Sequence, residues 1–282
     1  MNESSENQGH VYRARVGAHD VGRTVLDFHV AGGVVHQPAV FFIPLPGIAD
    51  VAIDRGLQTA VQSEAGFGWD TPLDLRFELQ GFVHYYQNLV FIDALFLDSS
   101  FDQICEQELV DCGDVELQDR VDGFSYGGEL FLKRPSTEWL SGWISYTLSW
   151  ASVDDVAGLA YTPTWDTRHV LNAVLQWEIG AGFAAGARLF LRTGKLRGEF
   201  VLDDRLQLQR DERRLPAFTR LDLEVSYSWY PSWGKLRVSL EWFNATLERE
   251  PIDMECVGQP RTCRVIYLPA IFFPNLGLRG EI

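Results

Sequence analysis

The segment RLDLEVSYSW, residues 220–229, alternates between polar and apolar side chains at every position. Its apolar members are Leu221, Leu223, Val225, Tyr227 and Trp229, and its polar members are Arg220, Asp222, Glu224, Ser226 and Ser228. Because successive side chains of a β-strand point to opposite sides, this period of two predicts a strand with one apolar and one polar face. Residues 235–242 and 140–150 repeat the pattern.

The same period extends in weaker forms over the whole chain and predicts eleven strands. Their ranges are 11–18, 24–33, 55–68, 74–85, 120–133, 140–150, 167–178, 183–193, 220–229, 235–242 and 272–282. No segment shows three turns of helical periodicity. The expected fold class is therefore all-β.

The connections between these strands alternate in length. The short ones cover residues 19–23, 69–71, 134–137, 179–182 and 230–233, and the long ones cover 34–54, 87–119, 151–166, 194–215 and 247–269. Short turns at one end and long loops at the other are typical of transmembrane β-barrels. The chain is predicted to form an antiparallel meander β-barrel of about 10–11 strands, with short periplasmic turns and long extracellular loops.

Aromatic residues cluster near both ends of the predicted strands. Trp69, Trp139, Trp177, Trp229, Tyr230 and Trp233 lie toward the short turns, and Tyr85, Tyr86, Tyr146, Trp150, Trp165 and Trp242 lie toward the long loops. Two such groups favour the aromatic girdles of a membrane barrel. The alternative for any single one of these residues is that it occupies an ordinary position in a protein core or a turn and is not part of a girdle.

Charge and hydropathy exclude two classes of protein. The 282 residues include 24 basic and 39 acidic side chains, a net charge of −15 that argues against nucleic-acid binding. No apolar run approaches the roughly 18 residues that a transmembrane helix needs. Residues 87–119 alone hold nine acidic side chains and no Lys or Arg, which predicts either a solvated outer loop or a cation-attracting one.

The polar first ten residues, MNESSENQGH, are predicted to form a disordered tail and carry no secretory signal. The chain as written is thus expected to be either cytoplasmic or part of a longer exported chain.

Four cysteines form two equally spaced pairs. Cys105 and Cys112, like Cys256 and Cys263, are separated by six residues, and both pairs fall in long loops. Two local disulfides in an oxidising compartment are the preferred interpretation. A metal site is the alternative, but no histidine lies near either pair and the spacing is wider than in zinc knuckles.

The sequence contains no catalytic motif, so no enzyme, cofactor, metal site or catalytic residue is predicted. The six histidines are scattered along the chain. Charged residues on the polar faces of the strands are candidates for the lining of a barrel lumen: Arg76, Glu78, Arg188, Arg192, Arg220, Asp222, Glu224, Arg237 and Glu241. No ligand-binding residue can be named among them.

An ordered set of segments resembles a known family. The segments are GFSYGGELFLKRPSTEWLSGWISYTLSWA (123–151), DTRHVLNAVLQWEIGAGFAAGARLFLRTGK (166–195), LPAFTRLDLEVSYSWY (215–230), KLRVSLEWFNAT (235–246) and PNLGLRGEI (274–282). Together they resemble the C-terminal half of a TonB-dependent receptor barrel, over about residues 20–282.

The resemblance implies an outer-membrane barrel of about 22 strands, filled by an N-terminal plug, that imports siderophores, cobalamin, haem or sugars. Residues 11–282 are then expected to be a partial barrel in a Gram-negative outer membrane, inactive in transport without the plug. Its expected partners are outer-membrane lipid, the barrel assembly machinery, a missing N-terminal half and an unknown small ligand. The final residue, Ile282, stands where such barrels usually have an aromatic residue.

An odd number of strands raises a closure problem. Eleven antiparallel strands would meet in a parallel seam, whereas ten could close if residues 11–18 were not a strand. The leading hypothesis is therefore a receptor fragment that needs its other half. The alternatives are a small closed barrel that acts as a passive channel or structural protein, and a soluble secreted β-protein that binds glycans.

Overall fold

The computed structural model describes residues 10–16, 25–37, 57–91, 119–135, 139–154, 160–202, 208–257 and 262–281. These residues form sixteen strands and no helix. The strands are β1 (His10–Val16), β2 (Val25–Gln37), β3 (Gln58–Asp70), β4 (Arg76–Phe91), β5 (Asp119–Arg134), β6 (Leu140–Asp154), β7 (Ala160–Tyr161), β8 (His169–Gly180), β9 (Phe183–Arg192), β10 (Leu196–Leu202), β11 (Leu208–Arg214), β12 (Phe218–Trp229), β13 (Lys235–Phe243), β14 (Pro251–Val257), β15 (Thr262–Tyr267) and β16 (Phe273–Glu281). Within the described ranges, no helix has the length and hydropathy needed to cross a membrane.

One antiparallel meander holds all eleven strands predicted from the sequence. Its order is β1-β2-β3-β4-β5-β6-β8-β9-β12-β13-β16, and the short β7 pairs with β6 beside this path. Each of these strands pairs antiparallel with its neighbours in the path. The prediction of an all-β meander is confirmed.

The turn between β8 and β9 shows how tight the short connections are. Gly180, Ala181 and Gly182 all have positive φ, at 107°, 50° and 86°. A Cβ on Gly182 would lie 2.5 Å from the carbonyl oxygen of Ser228 on β12, so only glycine fits this position.

Two hairpins lie in the long connections, in segments that the sequence pattern predicts to be loops. β10 pairs with β11, and β14 pairs with β15; neither hairpin is hydrogen-bonded into the main sheet. The β10 and β11 segments, LRGEFVL and LQRDERR, lack the strict polar and apolar alternation by which the other strands were recognised.

The burial of the main sheet is the reverse of that in a soluble protein. On β12, Val225 and Trp229 are 44% and 57% exposed, while the intervening Ser226 is 3% exposed. We call the face with Leu223, Val225, Tyr227 and Trp229 the exposed face, and the face with Arg220, Asp222, Glu224 and Ser226 the enclosed face. The register continues both faces across the sheet. On β12 the apolar side chains are the more exposed ones, and the polar side chains between them are buried or half-buried.

The sheet is not closed among the described residues. β1 and β16 lie at its two ends and are not paired with each other. Because eleven strands alternate in direction, these two end strands run parallel. The condition for a ten-stranded closure is not met, since His10–Val16 is a strand paired with β2.

Candidate functional site

The enclosed face is the candidate functional surface, and glycines make room for its polar side chains. The register aligns Gly68 with Asp27 and Glu78, and Gly66 with His29 and Gln80. A Cβ on Gly68 would lie 2.7 Å from the Asp27 carboxylate, and one on Gly66 would lie 2.8 Å from the His29 ring. Side chains from β2 and β4 therefore lie across β3.

Arg76 is the centre of an ionic cluster near the short-turn end of β2, β3 and β4. Its guanidinium reaches Asp27 Oδ1 at 3.1 Å, Asp70 Oδ2 at 3.1 Å and Glu78 Oε1 at 2.5 Å. The Asp27 side chain is only 8% exposed, so the ion pair with Arg76 stabilises its negative charge. The structure thus brings the candidates Arg76 and Glu78 together and adds Asp27 and Asp70, which the sequence analysis did not select.

A second ionic cluster lies on β12 and β13. Arg220 Nε is 3.2 Å from Asp222 Oδ1, and Arg237 Nη2 is 3.0 Å from Glu224 Oε1. Arg237 also donates to Ser226 Oγ at 2.9 Å. The charges of these four candidates are therefore paired along the enclosed face, although Arg220 Nε forms no hydrogen bond and the Arg220 guanidinium lies over the Phe243 ring at 4.2 Å.

The remaining candidates take different positions. Arg188 is exposed and lies opposite Asp222 in the register. Glu241 is exposed and accepts a hydrogen bond from Asn275 at 3.4 Å. Arg192 is 8% exposed and bonds Glu250 Oε1 at 2.7 Å, which ties the segment before β14 to the sheet.

Ionic contacts also join the long connections to one another. Arg214 on β11 pairs with the buried Asp166 of the segment between β7 and β8. Arg197 on β10 pairs with Asp253 on β14 at 3.2 Å. The connections that follow β6, β9 and β13 therefore form one linked group.

The β14–β15 hairpin contains a disulfide between Cys256 and Cys263, as the cysteine spacing predicted. Arg213 on β11 donates to Cys263 Sγ at 2.9 Å. Cys105, Cys112 and residues 92–118 of the acidic segment lie outside the described residues, as do residues 1–9 and Ile282. The described part of the chain holds no group of three His, Cys, Asp or Glu side chains arranged for a metal.

The aromatic residues at the short-turn end all lie on the surface. Trp69, Trp139, Trp177, Trp229, Tyr230 and Trp233 are each exposed. At the other end Tyr86 departs from the predicted girdle, because its hydroxyl bonds His84 and Ser125 on the enclosed face. A two-residue period places Tyr85, and not Tyr86, on the exposed face.

Comparison with known proteins gives similarity in structure and none in sequence. No protein-family model matches the chain, and no curated protein sequence is similar to it. The pyoverdine outer-membrane receptor FpvA of Pseudomonas aeruginosa superposes with a TM-score of 0.54 at 14% identity, over 86% of this chain and 31% of that receptor. The ferric-catecholate import receptor Fiu of E. coli K12 superposes with a TM-score of 0.54 at 16% identity, over 86% of this chain and 30% of that receptor.

At these identities the likeness establishes the fold. Both structures are TonB-dependent receptors, so the resemblance seen in the sequence is confirmed at that level. The chain spans less than a third of the length of these receptors. It has the fold of part of an outer-membrane receptor barrel.

Proposed function

We propose that the chain is part of the wall of a TonB-dependent barrel in a Gram-negative outer membrane and serves the import of a small nutrient such as a siderophore or cobalamin. The observation that carries this proposal is the reversed burial of β12 and its neighbours, with apolar side chains outermost and ion pairs half-buried. Lipid solvates the first set, and a water-filled or plugged lumen suits the second. The fold shared with two receptors supports the same assignment.

Because the two edge strands of the sheet run parallel, additional strands are needed to complete the barrel. Each bare backbone group in lipid costs several kcal/mol, so both β1 and β16 need a neighbouring strand. An antiparallel barrel closes only if the added segment has an odd number of strands. We propose that the chain from β1 onward forms a barrel domain completed by such a segment and by a plug, that the residues before His10 are a tail, and that the nine charged candidates line the lumen.

The alternatives agree less well with these observations. A small closed barrel that acts as a passive channel would need a parallel seam between β1 and β16. A soluble glycan-binding protein would leave the exposed face in water, where a continuous apolar surface promotes aggregation. Transport also fits better than catalysis, since the similar structures are receptors.

The test is to express the chain behind a cleavable export signal in a Gram-negative host and to separate the two membranes. We expect the chain in the outer-membrane fraction, in an amount that falls when the barrel assembly machinery is depleted. Recovery of folded chain in the soluble periplasmic fraction would contradict the proposal.

A further inference from the structure

A cavity of about 440 Å³ lies on the enclosed face toward the long-connection end of β4, β5 and β6. Seven of its lining residues lie in three rows of the register: Phe82 with Ser149, His84 with Ser125 and Ala151, and Tyr86 with Val153. The segment Trp165–Thr167 forms another wall. This volume is within the range of pockets that hold small ligands.

Three rings form a ladder along one side of this cavity. The centroids of Phe82 and His84 are 5.1 Å apart, and those of His84 and Tyr86 are 6.2 Å apart in an edge-on arrangement. The Tyr86 hydroxyl lies 3.3 Å from His84 Nδ1 and 3.2 Å from Ser125 Oγ. Aromatic faces with a few fixed polar groups are typical of sites for ring-shaped ligands.

The wall opposite the ladder is held in place by buried polar contacts. The Asp166 side chain is 1% exposed and pairs with Arg214. Its second carboxylate oxygen accepts the Ala151 amide at 3.1 Å. Both carboxylate oxygens of Asp166 therefore already have partners within the protein. This residue shapes the wall of the cavity and does not bind the ligand.

The charge around the cavity disfavours an anion. Of the described residues that line it, none is Lys or Arg. Arg168 and Arg214 lie behind the lining residues Trp150 and Asp166, and both pair with the Asp166 carboxylate. Glu64 lies beside Phe82 in the register and accepts from Gln80 at 3.1 Å, while Glu129 accepts from Thr147 at 3.4 Å. Within the described part of the chain neither carboxylate pairs with a basic side chain. A cation over an aromatic face is attracted, and an anion is repelled.

We propose that this cavity binds a ring-bearing ligand group that carries no negative charge, either neutral or cationic. This inference rests on the proposed function, because it assumes that the enclosed face lines the path of the imported ligand.

The test uses three probes with the same ring: benzamide, which is neutral, benzamidine, which is a cation, and benzoate, which is an anion at neutral pH. Saturation-transfer difference NMR measures their binding to the full chain refolded in detergent, with far-UV circular dichroism as the control for folding. We expect benzamide and benzamidine to bind at least about tenfold more tightly than benzoate. Equal binding of benzoate and benzamide, or no binding of benzamide to the folded chain, would overturn the proposal.

Two adjacent tyrosines locate the site. Tyr86→Ala removes a ring from the ladder and is expected to weaken benzamide binding by at least about fivefold. Tyr85→Ala, on the same strand but the opposite face, is the matched control and is expected to leave it unchanged. An equal loss of benzamide binding in the two variants would show that the probe binds outside the cavity.

Ser125→Leu tests the same cavity from β5 if Tyr86→Ala does not fold. It is expected to abolish benzamide binding, and retained binding would overturn the proposal. Outer-membrane recovery is scored separately, so a failure of probe binding is distinct from a failure of the proposed function.

Discussion

Arg76 joins three strands through one side chain, and this arrangement depends on register more than on local sequence. Asp27 and Arg76 are 49 positions apart, and they meet only because β3 carries Gly68 between them. The alternation within β4 predicts that Arg76 and Glu78 lie on the polar face, but it does not identify Asp27 as their partner. A cross-strand partner cannot be found until the pairing of three strands is known, because a shift by one residue reverses the faces.

Removal of the Arg76 guanidinium tests this cluster. Arg76→Leu removes a counter-charge from the covered Asp27 carboxylate, and we expect a loss of about 3 kcal/mol in the free energy of unfolding. Urea titration of the refolded chain, followed by circular dichroism, measures the change. Arg279→Leu is the control, because Arg279 and Glu281 are 77% and 51% exposed and their pair is worth less than about 1 kcal/mol. Similar losses in both variants would contradict the role given to Arg76.

At the scale of the element, the eleven main strands could be predicted because each is long and alternates with a period of two. The β10–β11 and β14–β15 hairpins could not, since their segments mix charged and apolar residues without a consistent face. The alternation of polar and apolar residues predicts that a strand has two different faces, but it does not indicate which face is exposed. Only the burial of Ser226 beside the exposed Val225 decides that question for β12.

A charge placed on the exposed face of β12 should have an effect that depends on depth. Leu223 lies in the middle of the strand, and Tyr230 follows its end in the turn. In phospholipid vesicles we expect Leu223→Arg to lower the free energy of unfolding by about 2–4 kcal/mol and Tyr230→Arg by about 0–1 kcal/mol. If both changes cost less than about 0.5 kcal/mol, the exposed face is in contact with water.

At the scale of the whole molecule, the main sheet of the described residues is open, and its two edge strands cannot pair with each other in antiparallel fashion. The odd number of strands predicted from the sequence already indicates that the sheet cannot close without a parallel seam. The pairing of His10–Val16 with β2 confirms the eleventh strand. What the sequence could not provide is the link between the long connections. Contacts such as Arg214 with Asp166 and Arg197 with Asp253 join segments far apart in the chain.

Because the sheet cannot close on itself, the isolated chain should not form the compact species that closed barrels show in detergent. We expect heated and unheated samples of the refolded chain to migrate alike on a denaturing gel. A faster band in the unheated sample would show autonomous closure and would contradict the need for additional strands.

The central claim is that the exposed face of the sheet contacts the acyl chains of a membrane. The most direct measurement is tryptophan emission of the refolded chain in vesicles of phospholipids brominated along their acyl chains, compared with iodide added to the water. Trp69, Trp139, Trp177, Trp229 and Trp233 are exposed and report on the surroundings of this surface. The account predicts strong quenching by the brominated lipid and weak quenching by iodide, and strong quenching by iodide with none by the lipid would contradict it.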